Sequence, residues 1–216
     1  MKKGNIIFLG VVLILIVGAI IFSIFLGDKN DKGNAADPNY GGNKEVMNLV
    51  SGKHYALISV KGYGKIKLEL DADIAPITVT NFLDLINEKF YDGLTFHRIM
   101  DGFMIQGGGY DENGDRKLAR SIEGEFAENG KVNTISHKRG VISMARAKGS
   151  NTASSEFFIT QADSLHLDGK YAAFGYVIEG MDVVDKIAKK AKPTDDNGSI
   201  EVKDRPVIEY IKVVEK

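Results

Sequence analysis

The 216-residue chain is 44% hydrophobic with a formal net charge of -1, which allows one or two domains with a sizeable core. It contains no cysteine, which excludes a disulfide framework, thiol catalysis and a cysteine-ligated metal. Residues 1–44 hold five Lys and three Asp, so they carry +2 and the rest of the chain carries -3. A mildly acidic domain predicts no nucleic-acid partner, because phosphate backbones attract basic surfaces.

The N-terminal segment contains a run without any charged residue, from Ile6 to Leu26. Its 21 residues would span about 30 Å as a helix, which is the thickness of the hydrocarbon core of a bilayer. A cleaved signal peptide is the alternative, but its apolar region is usually about 7 to 15 residues long. In addition, Ala35 and Ala36 lie far beyond the run. We expect residues 1–27 to form a short tail and one uncleaved transmembrane helix.

The orientation of this helix is predicted from the basic residues around it. Lys2 and Lys3 precede the run, whereas Lys29 and Lys32 after it alternate with Asp. Positive charge before a first span favours a cytoplasmic tail. We therefore expect a single-pass protein of the cell membrane, in contact with the lipid bilayer, whose remaining chain is extracytoplasmic.

Residues 28–52 read as a flexible linker. They are rich in Gly, Asn, Asp and Lys, include Pro38 and show no periodicity. A Gly-rich coil of about 26 residues has a root-mean-square reach of roughly 25 to 30 Å. That reach would hold a domain near a membrane without docking it.

The remaining chain predicts short strands and two helices. Strict alternation at Ile66, Leu68 and Leu70 predicts a half-buried strand, and Pro76 suits the first turn of a helix. Residues 181–190 predict a second amphipathic helix. Further short apolar runs predict strands at 95–99, 104–106, 141–145, 157–160, 172–178 and 207–214. Many strands with only two helices favour an antiparallel barrel or sandwich over a doubly wound sheet.

One cation and one amide, Arg98 and Gln106, stand among Phe and Met residues in the sequence FHRIMDGFMIQGG at residues 96–108. Removing a guanidinium from water without giving it partners costs on the order of several kcal/mol. Arg98 is therefore either a strand residue that reaches to solvent or a functional cation. The glycines at 107–109 lack the Lys-Ser/Thr of a phosphate loop and indicate a tight bend.

Five stretches, in chain order, resemble the motifs of the cyclophilin-type peptidyl-prolyl isomerases. They are APITVTNF at 75–82, FHRIMDGFMIQGG at 96–108, GVISMA at 140–145, SEFFIT at 155–160 and LDGKYAAFG at 167–175. The resemblance runs from about Lys53 to Val214. It implies that residues 53–216 form one mainly β domain, a closed eight-stranded antiparallel barrel capped by two α-helices and preceded by the N-terminal transmembrane helix. It also implies a monomeric enzyme, without cofactor or metal, that accelerates X-Pro rotation. Together with the predicted anchor and linker, it indicates a membrane-anchored bacterial form that acts on exported or surface proteins.

The resemblance assigns two catalytic residues, Arg98 and Gln106. Arg98 would donate to the prolyl nitrogen once rotation has localised its lone pair, and Gln106 would hold a substrate carbonyl and position Arg98. An added substrate strand would pair with the backbone near Ala145 and Arg146. Phe157 should point into the barrel, because neighbouring strand residues face opposite sides. The substrate-binding residues implied by the resemblance are Phe103, Met104, Ala145, Arg146, Glu156, Phe158, His166, Leu167 and Tyr171.

Four of these positions depart from the family pattern. Glu156 stands where the family often has Gln, so its carboxylate would lie near Arg98 and either fix its rotamer or compete with substrate. Arg146 replaces a common Asn, and Tyr171 a common His. His166 stands where the most cyclosporin-sensitive relatives carry Trp, so we expect weak cyclosporin binding.

Other functions find less support. A serine hydrolase would be expected to show a G-x-S-x-G elbow, and a zinc site an H-E-x-x-H motif; neither is present. The acidic stretches 111–115 and 195–198 miss the calcium-loop pattern and read as turns. The open alternative is a membrane-tethered proline-peptide-binding chaperone module with little turnover. It is favoured if Glu156 neutralises Arg98.

Overall fold

The computed structural model describes residues 48–117 and 119–216. The predicted tail and transmembrane helix of residues 1–27, and most of the predicted linker, lie outside these residues. Within the described part of the chain, no helix is long and apolar enough to cross a membrane.

The described residues form eight strands, two α-helices and three short 3-10 turns. The strands are β1 Lys53–Val60, β2 Gly64–Asp71, β3 Leu94–Met100, β4 Met104–Asp111, β5 Val141–Met144, β6 Phe157–Thr160, β7 Ala173–Glu179 and β8 Ile208–Val214. The helices are α1 Pro76–Asn87 and α2 Met181–Lys190, and the 3-10 turns are Ala127–Asn129, Leu165–Leu167 and Val202–Asp204. The prediction of many short strands with two helices is confirmed.

All neighbouring strands run antiparallel in the order β3-β4-β6-β5-β7-β2-β1-β8. The prediction of a closed barrel was wrong, because the sheet curls into a half-barrel. Its edge strands β3 and β8 meet at the bridge between Thr95 and Val207, where the Phe96 N–H donates to the Pro206 carbonyl and the Gly93 N–H donates to the Ile208 carbonyl, both at 2.9 Å. Pro206, just before β8, has no N–H to donate across the seam. Farther along β3, residues 198–200 pair with its edge in place of β8. The Ile99 N–H donates to the Gly198 carbonyl, and the Ile200 N–H donates to the His97 carbonyl.

The core lies on the concave face of the sheet, where α1 packs. The predicted alternation along β2 is confirmed, since Ile66, Leu68 and Leu70 are all fully buried. Phe82 of α1 lies 5.6 Å from the ring of Phe157, measured between centroids. Phe157 therefore points inward as predicted, which leaves the next residue of β6 for the opposite face of the sheet.

Residues 107–109 do not form the tight bend that their glycines indicated. They continue β4, where they allow close approach instead of a turn. A Cβ at Gly107 would lie 2.7 Å from the Thr95 carbonyl oxygen, and a Cβ at Gly109 would collide with the Glu156 carboxylate. The predicted turns at 111–115 and 195–198 are confirmed, since Asp111 and Asp195 each accept backbone N–H bonds from the residues that follow them.

Candidate active site

Arg98 lies on β3, directly opposite Gln106 on β4. Its Nε donates to the Asn197 carbonyl at 2.7 Å, and its Nη1 donates to Gln106 Oε1 at 3.2 Å. Its other contacts are thioether sulfurs, Met100 Sδ at 3.2 Å and Met104 Sδ at 3.8 Å. The partners of the guanidinium are therefore neutral, and its positive charge is held in place without being cancelled.

The surroundings of Arg98 are apolar enough to affect its ionisation. Burial lowers the pKa of the guanidinium below its ordinary value, while Tyr171 and Asp195 oppose this effect. An Arg still remains charged at any ordinary pH. The side chain does not simply reach to solvent, which was the structural alternative left open by the sequence.

A second apolar cluster lies beside Arg98 on the outer face of the half-barrel, and we call it the proline pocket because the resemblance predicts the pocket at these residues. Its floor is formed by Met104 of β4, Phe158 of β6 and Leu167 of the 3-10 turn, which are 1%, 4% and 8% exposed. Partly buried side chains complete it, namely Met100, Phe103, Ala145 and Tyr171. The sequence-predicted pocket residues are thus brought together from four separate segments of the chain. His166 is exposed at the rim, with its ring 5.6 Å from that of Phe103.

The side chain of Gln106 lies between those of Glu156 and Arg98. Glu156 Oε2 accepts a hydrogen bond from Gln106 Nε2 at 2.9 Å and lies 3.4 Å from His97 Nε2. Burial raises the pKa of Glu156, but His97, the Gln106 hydrogen bond and the charge of Arg116 together bring it below its ordinary value. The carboxylate is therefore ionised at neutral pH.

An ionised carboxylate can only accept hydrogen bonds, so it fixes which way the Gln106 amide faces. The amide NH2 turns to Glu156, and the amide oxygen must then turn to Arg98. Gly109 makes this arrangement possible, because a Cβ there would occupy the space of the carboxylate. Glu156 thus contacts Arg98 through Gln106 and does not pair with it directly.

Arg146 lies at the rim, but its guanidinium is held by the protein. It stacks 4.9 Å from the ring centroids of both Phe126 and Tyr171. Its Nε donates to the Lys170 carbonyl at 2.9 Å. The neighbouring Ala145 N–H donates to the Glu156 carbonyl at 2.8 Å, so that amide is already engaged within the protein.

Residues 55–214 match the family model described as cyclophilin type peptidyl-prolyl cis-trans isomerase/CLD. The chain belongs to the cyclophilin family. Peptidyl-prolyl cis-trans isomerase A of Dickeya dadantii is 44% identical to this cyclophilin over 131 residues, which are 58% of this chain and 67% of the relative. Peptidyl-prolyl cis-trans isomerase B of Escherichia coli is 41% identical over 133 residues, 58% of this chain and 79% of the relative.

The solved structures agree with this assignment. A cyclophilin-type isomerase of Cryptosporidium parvum superposes on this chain with a TM-score of 0.63 at 28% identity, covering 76% of this chain and 99% of that one. This cyclophilin is accordingly a peptidyl-prolyl cis-trans isomerase, as the sequence motifs predicted.

One group of side chains in this cyclophilin that no sequence pattern predicted is formed by Ser143, His137 and Asp168. His137 Nδ1 lies 2.8 Å from Asp168 Oδ1, and its Nε2 lies 3.0 Å from Ser143 Oγ. The arrangement resembles the triad of a serine hydrolase, but Ser143 is completely buried and no substrate reaches it. Instead, the His137 ring stacks on Phe158 with an interplanar angle of 15° and supports the pocket floor. No spacing in the sequence predicts this group, because its members come from three segments of the chain.

Burial also sets the protonation of this group. Desolvation lowers the pKa of His137, and Asp168 only partly opposes this, so the imidazole is neutral at pH 7. Desolvation raises the pKa of Asp168, but hydrogen bonds from the His137 backbone, Ser136 and the His137 ring bring it below its ordinary value. The pocket floor therefore rests on a neutral imidazole beside an ionised carboxylate.

Proposed function

We propose that this cyclophilin accelerates X-Pro rotation by means of Arg98, which donates to the prolyl nitrogen of the twisted amide. In the planar amide that nitrogen shares its lone pair with the carbonyl and accepts no hydrogen bond. Rotation returns the lone pair to the nitrogen. A guanidinium aimed there stabilises the transition state more than the ground state, and this difference lowers the barrier.

The observation that carries this proposal is the charge of Arg98, which is fixed beside the apolar pocket by neutral partners only. An apolar floor formed by Met104, Phe158 and Leu167 suits a proline ring. The Cryptosporidium parvum relative, whose structure was also determined in the presence of the dipeptide Ala-Pro, supports proline-containing peptides as ligands.

Arg98 supplies only part of the required acceleration. An uncatalysed X-Pro bond isomerises in tens to hundreds of seconds, and a millisecond reaction needs about four powers of ten, or roughly 5 to 6 kcal/mol. One charge-assisted hydrogen bond contributes about 1.5 to 3 kcal/mol. The remainder would come from removing the amide from water and from holding the ring while the preceding peptide rotates.

The substitution Arg98→Lys tests this role, because it keeps the charge and removes the planar fork. Steady-state kcat/KM on a short X-Pro peptide should fall by at least about tenfold, measured without a coupling protease on the full chain in neutral detergent. Arg120→Lys is the matched control, since Arg120 pairs with Asp84 of α1 and not with a pocket residue. An unchanged kcat/KM in Arg98→Lys would refute the role.

The alternative of a chaperone module with little turnover depended on Glu156 neutralising Arg98. Glu156 bonds to Gln106 and His97, so the specific reason for that alternative falls away. A wild-type chain that binds the peptide and leaves its isomerisation rate unchanged would restore it.

We further propose that the substrates are exported or surface polypeptides and that the chain acts as a monomer at the outer face of the cell membrane. The uncharged run from Ile6 to Leu26 and the preceding Lys residues support this location. Protease added to intact cells should remove the isomerase domain, and protection of the domain would contradict the proposal.

Weak cyclosporin binding is part of the same proposal. It rests on His166, which is exposed beside Phe103 where sensitive relatives have Trp. A nanomolar inhibition constant for the wild-type chain would contradict it.

A further inference from the structure

Three cationic residues meet at one side of the proline pocket. The Arg146 guanidinium donates from Nε to the Lys170 carbonyl at 2.9 Å, and from Nη1 to the carbonyls of Ala147 at 3.1 Å and Lys148 at 3.4 Å. The backbones of both lysines therefore lie against the same guanidinium, and both lysine side chains are exposed. We call Arg146, Lys148 and Lys170 the basic rim.

Arg146 is the ordered member of the basic rim. Its guanidinium lies between the rings of Phe126 and Tyr171, at 4.9 Å from each centroid. Such stacking orders an Arg without cancelling its charge, because a ring carries only a quadrupole. The hydrogen bonds to carbonyl oxygens also leave the charge in place, because a carbonyl has a dipole but no net charge.

Two carboxylates lie near the basic rim: Asp168, two residues before Lys170, and the exposed Glu128, whose backbone N–H donates to the Gly169 carbonyl at 2.9 Å. Their charges offset part of the charge of the rim without pairing with it. Glu156 accepts from Gln106, Asp168 from Ser136 and His137, and Asp195 from Ser199. Among the described residues, no ion pair joins a carboxylate to any member of the basic rim. The rim thus presents positive charge on a domain whose net charge is negative.

The basic rim borders the place where substrate would lie. Tyr171, which stacks on Arg146, packs edge-on against Phe158 in the pocket floor with centroids 5.8 Å apart. Ala145, next to Arg146, packs against the same pocket. A peptide whose proline occupies the pocket would pass within the Debye length of the rim, about 8 Å at physiological salt.

From this arrangement we infer that the enzyme prefers X-Pro bonds with Asp or Glu side chains close to the proline. The inference rests on the proposed function of the same pocket and adds the class of substrate. Exposed charge pairs are individually weak, so the expected preference is modest. One fixed and two exposed cations should favour an acidic over a basic peptide by about three- to tenfold in kcat/KM, mainly through attraction during encounter.

The test uses three peptides of equal length that differ only beside the X-Pro unit, where they carry Glu, Gln or Lys. Isomerisation is followed without a protease, at low and at high salt, with the full chain in neutral detergent. The wild type should rank the peptides Glu, Gln, Lys in falling kcat/KM, and high salt should compress the ranking.

The double substitution Lys148→Gln and Lys170→Gln should reduce the ratio between the Glu and Lys peptides at least about twofold. The matched control is Lys65→Gln with Lys192→Gln, since these exposed lysines lie on β2 and after α2. It should leave the ratio unchanged.

Equal kcat/KM for the Glu and Lys peptides would overturn the inference, as would a preference that survives the double substitution. If the Gln peptide is still turned over normally, either of these results would contradict only the acidic preference and would leave the proposed isomerase function of the pocket unaffected. Failure of the proposed function would look different, because the wild type would then turn over none of the three peptides.

Discussion

Replacing Glu156 should impair catalysis although its carboxylate contacts neither the substrate pocket nor Arg98. In Glu156→Ala the Gln106 amide loses the acceptor at 2.9 Å that fixes its orientation. The amide is then oriented by Arg98 alone and can swing away from it, so the bond from Arg98 Nη1 is formed for less of the time. The Arg98 side chain keeps its bond to Asn197 but loses its fixed aim.

The magnitude follows from the bonds involved. A hydrogen bond to a charged group contributes about 1.5 to 3 kcal/mol, and part of this is recovered when water enters the space. A net loss of about 1.4 kcal/mol corresponds to a tenfold lower rate. We therefore expect kcat to fall about tenfold in Glu156→Ala and less in Glu156→Gln, whose amide can still accept from Gln106.

The assay is protease-free isomerisation of an X-Pro peptide, with kcat and KM determined separately. Because positioning of Arg98 matters mainly in the transition state, kcat should change more than KM. Glu112→Ala, which alters an exposed carboxylate in a turn, is the control. Wild-type kcat in a folded Glu156→Ala protein would refute the view that Glu156 orients Gln106.

Three further predictions concern the support of the same site. In Gly109→Ala the new methyl group would displace the Glu156 carboxylate, so kcat should fall about as far as in Glu156→Ala. The variant that carries both substitutions should show little further loss of kcat. Additive losses of kcat would contradict this. Phe157→Leu and Phe158→Leu should each lower the free energy of unfolding by about 1 to 2 kcal/mol, but only Phe158→Leu should raise KM for an X-Pro peptide; equal KM values would contradict the assignment of Phe158 to the pocket. Because the pKa of His137 is depressed in the folded state, its contribution to stability is complete above its unfolded value of 6.5 and declines as pH falls below it. Chemical unfolding between pH 7 and 5 should show this decline, at most about 1.4 kcal/mol per pH unit, in the wild type and not in His137→Gln.

The local elements of this fold are predictable because they depend on nearby residues. The alternation of β2 and the amphipathic pattern of α2 identify these elements, and α2 spans the predicted residues 181–190. The neighbours Phe157 and Phe158 face opposite sides of β6 for the same local reason. By contrast, periodicity did not predict β1. Its residues Tyr55 and Leu57 are apolar but partly exposed, so the strand does not alternate clearly between buried apolar and exposed polar residues.

Closure of the sheet and the support of the site depend on distant segments. The edge of β3 is covered by residues 198–200, which are about a hundred positions away in the sequence. No periodicity in the sequence predicts this pairing. Arg146 was predicted at the rim, but its stacking partner Phe126 lies in a segment without a regular pattern. The glycines at 107–109 allow both a bend and close approach, and only the position of Glu156 decides between them.

The most direct test of the account separates peptide binding from rotation on the enzyme. NMR exchange spectroscopy on a saturated X-Pro peptide gives the cis-trans rate of the bound peptide, and a titration gives its dissociation constant. In Arg98→Ala we predict that the bound-state rate falls about 10- to 100-fold while the dissociation constant changes less than about threefold, because the guanidinium acts on the twisted amide. A bound-state rate equal to that of the wild type, with only affinity reduced, would contradict the account.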